Sequence, residues 1–64
     1  MLTTQELSAI QEQLKAEQIL VEQNKEYAKQ CNDPEIKKQC EQMAGKHREH
    51  FQALLNLLQE GNKA

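Results

Sequence analysis

Apolar residues recur along this chain in alternating steps of three and four, in two separate runs. The first run reads Leu7, Ile10, Leu14, Glu17, Val21, Asn24, Ala28, Cys31. The second reads Ile36, Cys40, Met43, His47, His50, Leu54, Leu57. This spacing lays one stripe along an α-helix and fits no strand. The outward positions Gln11, Gln18, Lys25, Lys29, Lys38, Gln52 and Gln59 are polar, as a solvated helix surface should be. Thr3-Thr4-Gln5-Glu6 reads as a capping box, a Thr N-cap with Glu three residues on. Neither Gly nor Pro interrupts the chain from there to Cys31. Asn32-Asp33-Pro34-Glu35 is the punctuation: Asn or Asp caps the next helix, and Pro34 sits in its first turn, where a missing N–H is harmless. The pattern predicts helices over about 4–31 and 34–60 with a turn at 32–33, so that 1–64 is a single hairpin. Gly61 is placed as the C′ residue, and Asn62-Lys63-Ala64 should fray.

A turn this short forces the two helices antiparallel. Residues whose numbers sum to about 66 then lie side by side, which is the geometry of a hairpin folded at 32–33. Glu17 falls opposite His47 to His50, between two apolar layers. Leu20, Tyr27, Phe51, Leu55 and Leu58 widen the apolar face beyond what one helix pair covers. The fold class predicted is therefore all-α, an antiparallel two-helix hairpin that dimerises into a four-helix bundle. Its core and dimer interface are assigned to Leu7, Ile10, Leu14, Val21, Met43, Phe51, Leu54 and Leu58.

Composition agrees and removes several functions. With 64 residues, one Tyr, one Phe and no Trp, the chain makes one small domain at most, and domains of this size usually need a staple or a partner. Residues 1–31 carry five acids and three Lys, and residues 32–64 five acids and five bases. Neither half is basic enough to follow a phosphate backbone, and base-stacking aromatics are lacking, so no nucleic-acid partner is expected. No apolar run is long enough to span a membrane, so no membrane partner is expected either. Met1 to Glu6 lacks the positive start and apolar run of a signal peptide, and the expectation is synthesis in the cytoplasm. Two cysteines separated by eight residues form neither a disulfide framework nor a CxxC motif. Cys31 and Cys40 also sit about one turn out of register across the hairpin, and are expected as small reduced core residues, with crosslinking between chains of an assembled layer as the lesser reading.

The candidate chemistry lies at Glu17, His47 and His50. His47-x-x-His50 is an i, i+3 pair, so both rings reach one side of a helix. A buried imidazole needs a hydrogen bond or a metal, and Glu17 is the lone acid in the facing stripe. Two readings stay open. One is a polar layer that fixes register or partner choice. The other is an N/O metal site, for which Zn²⁺ or another divalent transition metal is the simplest occupant. The plan resembles the ferritin-like one, in which a Glu from one helix joins a Glu-x-x-His from the next. Here Ala44 stands three residues before His47, so the bridging carboxylate of that plan is missing. No Ser/His/Asp, Cys/His or Gly-rich phosphate arrangement is present, no cofactor is required, and the chain is not expected to be an enzyme. Gly45, inside the second helix, either permits close approach of a neighbour or is a tolerated surface glycine.

Leu7 to Leu58 also resembles the coat-protein-F-like family of small ferritin-like helical proteins from spore-forming bacteria. The features that carry the likeness are Ala16-Glu17, Tyr27-Ala28, the turn Asn32-Asp33-Pro34-Glu35-Ile36, and His47-Arg48-Glu49-His50-Phe51. Members look like αα-hairpins, alone or in tandem, with an Asn-Pro or Asp-Pro type of turn before a helix bearing His-Arg-x-His-Phe. The resemblance implies a structural or assembly component of the spore coat, with other coat proteins as partners beside a homodimer.

Overall fold

Thr3 opens the first helix with extended backbone (φ −72°, ψ 164°), and its hydroxyl accepts the Glu6 N–H at 3.1 Å. The Glu6 carboxylate in turn accepts the Thr3 N–H at 3.0 Å, closing the capping box the sequence spells. These two bonds pull the Glu6 carboxyl below its usual range. The helix, α1 (Thr4–Gln30), ends where Cys31 turns extended. No described residue there has positive φ; the Cys31 N–H still donates to the Tyr27 carbonyl at 3.0 Å, and Asp33 precedes a proline, a position that disfavours helical backbone. Asp33 then caps α2 (Pro34–Gly61): its Oδ1 accepts the Glu35 N–H at 2.9 Å.

The computed structural model describes residues 1–61. Among them are two helices and no strand, folded back on each other as a hairpin whose Cα trace measures 49 × 15 × 10 Å. The expected fraying of Asn62, Lys63 and Ala64 falls outside the described residues. No described helix is long and apolar enough to cross a membrane. Both cysteines are free thiols and half-buried.

The stripe on α1 faces its partner as its spacing requires. Ile10, Glu17, Val21 and Ala28 are buried, with Leu7, Leu14, Asn24 and Cys31 half-buried between them. On α2 the helix is rotated from the predicted seam. Ala44 is buried, and Cys40, His47, Phe51, Leu54, Leu55 and Leu58 are half-buried. Ile36, Met43, His50 and Leu57 are exposed. Two heptad frames share Cys40, His47 and Leu54, and they differ in using Met43, His50 and Leu57 or Ala44, Phe51 and Leu58. The second frame wins for two physical reasons. Ala44 lets the helices approach closely, and Phe51 and Leu58 bury more apolar surface than His50 and Leu57 would.

Gly61 closes the far end without acting as a left-handed C′ residue: no glycine has positive φ, and the helix runs through it. Its carbonyl accepts the Leu2 N–H at 3.3 Å. A Cβ there would fall 2.5 Å from the Leu2 Cγ, so the missing side chain is what lets Leu2 fold over the helix end. Gly45 is different, since a Cβ there would meet nothing within 4 Å. Within the hairpin it permits no close approach.

The core is thin. Among the described residues four apolar ones are buried, Ile10, Val21, Ala28 and Ala44, and no large side chain is fully enclosed. Two helices alone cannot cover one another's apolar faces, and this leaves the outer flanks wet.

Candidate functional site

Glu17 sits near the middle of α1 with only 6% of its surface exposed. An isolated carboxylate there would be costly, and three side chains answer it. His47, reaching across from α2, places Nδ1 at 2.6 Å from Glu17 Oε2. Gln13, one turn earlier on α1, donates Nε2–H to Oε1 at 3.3 Å. His50 approaches Oε1 with its own Nδ1 at 3.7 Å, beyond hydrogen-bond range but close enough for charge attraction when the ring is protonated. The two imidazoles meet edge to face, with centroids 5.8 Å apart and planes at 83°.

These distances set the chemistry. The carboxyl of Glu17 is held below its ordinary value of 4.5, chiefly by the His47 hydrogen bond; burial opposes this, and Gln13 and the charges of both histidines add to it. At neutral pH Glu17 is therefore an anion and can only accept. The hydrogen of the 2.6 Å contact consequently belongs to His47 Nδ1, and in the neutral ring Nε2 is the free acceptor. The His47 side chain is 16% exposed, whereas that of His50 is 60% exposed. The layer is thus graded from a sheltered pair to a wet outer imidazole. No buried side-chain nitrogen or oxygen among the described residues lacks a partner.

The structure brings together all three residues singled out from sequence. Glu17, His47 and His50 each offer one ligand-type atom, and these lie within 4.8 Å of one another. The donor set, two imidazole nitrogens and one carboxylate oxygen, fits a three-ligand Zn²⁺ centre in kind. A metal on His47 Nδ1 would have to replace the proton now shared with Glu17. Gln13 is the partner that sequence reasoning missed. Its signal was the i, i+4 spacing to Glu17, which puts an amide within reach on the same helix face.

The other assigned positions divide. Leu7, Ile10, Leu14 and Val21 on α1, with Phe51, Leu54 and Leu58 on α2, line the contact between the helices or its edges. Met43 does not join them and stays 43% exposed. The two flanks of the hairpin also differ. On one, Lys25, Lys29, Lys37, Glu41 and Arg48 surround an open groove of about 400 Å³ floored by Ala28 and Ala44. On the other lie Ile36, Met43, His50 and Leu57.

No protein family, curated protein or solved structure matched this chain when it was compared with them.

Proposed function

We propose that this chain is a non-enzymatic structural protein, an assembly component related to the coat proteins of bacterial spores. The carrying observation is that Glu17 is satisfied from within: His47 and Gln13 occupy its oxygens, so the layer holds the hairpin in register. A closed acid–imidazole layer of this kind suits a building block. The thin core and the apolar outer flank support association, two hairpins forming a four-helix bundle of ferritin-like plan. The likeness to coat-protein-F-like hairpins at the Asn32 to Ile36 turn and at His47 to Phe51 supports the spore setting, with other coat proteins as further partners. The test is to follow the protein by immunoblot through sporulation. Enrichment in purified spores or in the sporulating mother cell is expected. Detection in vegetative cells only would overturn the reading.

A second reading has one specific observation behind it, the convergence of Glu17, His47 and His50 within 4.8 Å. As a metal-binding protein the chain would use these three side chains for Zn²⁺ or another divalent transition metal. His50→Gln separates the two. A register layer keeps its fold with a modest loss of stability, whereas a three-ligand centre loses its metal.

A further inference from the structure

The exposed residues Ile36, Met43, His50 and Leu57 recur every seven positions along α2. At about 100° per residue they form one nearly straight column, drifting by roughly 20° per heptad. Glu41 and Arg48 border the charged groove, and the same arithmetic puts Met43 and His50 on the opposite side of the seam. On α1, Lys25 and Lys29 border that groove too, while Leu20 and Tyr27 project from the other flank. The hairpin therefore has a basic flank and an apolar flank. Ile36 is 50%, Leu57 49% and Tyr27 55% exposed.

We infer that the apolar flank is the docking surface for a second copy of this chain, with α2 packed antiparallel against α2 of the partner about a twofold axis. This deepens the assembly reading, on which its biological purpose rests. Three observations select a second copy as the occupant. The column is its own complement: an axis midway between Met43 and His50 sets Ile36 against the partner's Leu57, and Met43 against the partner's His50. The axis also lies near the middle of α2 (Pro34–Gly61), so a partner of equal length covers the column with little overhang. The area fits as well. With the whole flank covered, α1 lying on α1 of the partner beside the α2 pair, a face of 49 × 15 Å is on the order of 700 Å², close to the ~800 Å² per partner of a stable interface. Seven residues separate the two copies of His50 along the helix direction, about 10 Å. The two Glu17 layers thus flank the axis and do not merge.

Lys46 decides the matter in the unmodified protein. It lies within one residue of the axis, at the outer edge of the column, so its copies face each other across the interface. Treatment with a short amine-reactive cross-linker should give a Lys46 peptide joined to itself, which requires two copies. Lys29 and Lys37, on the basic flank, should give no such self-link. Sedimentation at micromolar concentration should find twice the 7.4 kDa chain mass, and the melting temperature should rise with protein concentration. Met43→Glu should weaken the dimer at least tenfold, and Lys37→Glu should leave it unchanged. A fully helical monomer with a concentration-independent melting temperature would overturn the inference. So would self-links at Lys29 or Lys37 with none at Lys46. A dimer of this geometry that never enters spores would leave the surface standing and remove the coat function.

Discussion

At the scale of single residues, Glu17 controls the middle of the molecule. Its lowered pKa ties stability to pH with a definite sign. The contribution of the ionised carboxylate is fully present above the ordinary value of 4.5, and it is lost as pH falls through the lowered, folded-state value. Glu17→Gln should therefore be less stable than wild type near neutrality, and the difference should shrink as the pH is taken below 4.5. Urea melts across that window check it; a gap that is unchanged in strong acid would show that the charge of Glu17 is irrelevant. The convergence of Glu17 with His47 and His50 was legible in the sequence because all three are polar interruptions of apolar stripes, and a turn at 32–33 fixes which of them meet. The inequality between the two histidines was not legible. The i, i+3 spacing lets both face inward, and only the rotation of α2 decides that His47 is sheltered and His50 wet.

At the scale of elements, the helix ends follow from local chemistry that the sequence states openly. Thr3, Glu6, Asp33 and Pro34 need no tertiary contact to act, so they could be read in advance. Thr3→Ala and Asp33→Ala should each cost about 0.5–2 kcal/mol, as lost N-caps do. Gly45 works the other way. It is helical, its φ is not positive, and a Cβ there is met by nothing within 4 Å, so Gly45→Ala should stabilise the protein by about 0.5–1 kcal/mol in thermal or urea melts. A destabilised Gly45→Ala variant would mean that another molecule occupies the space beside it. The seam of α2 is the element on which the sequence reading and the structure differ: the reading takes Met43, His50 and Leu57, and the structure uses Ala44, Phe51 and Leu58. Residues 43, 50 and 57 and residues 44, 51 and 58 are both apolar enough to face α1, and periodicity cannot rank two adjacent columns. Close packing at Ala44 and the bulk of Phe51 rank them. Gly61 was misread for a related reason, since its use depends on Leu2 returning from the other end of the chain.

At the scale of the whole molecule, the ambiguity becomes a resource. A helix with apolar residues on two neighbouring columns can pack against α1 with one and against a second molecule with the other. The hairpin spends Ala44, Phe51 and Leu58 on its own fold and leaves Ile36, Met43 and Leu57 outside. The hairpin itself was legible from the periodicity and the single turn. Which flank is left for association was not, because that depends on the rotation of α2. Against these columns α1 sets Glu17, which joins His47 and His50 in one polar layer. His50→Gln should remain folded, as circular dichroism will read, because Glu17 keeps its His47 and Gln13 hydrogen bonds without it. The most direct test is elemental analysis of the untagged protein, purified without chelator, beside a His50→Ala control. No stoichiometric transition metal is expected in either, with the control still helical. About half or one metal per chain in the wild type, lost from the control, would overturn the register-layer reading and make Glu17, His47 and His50 a metal centre.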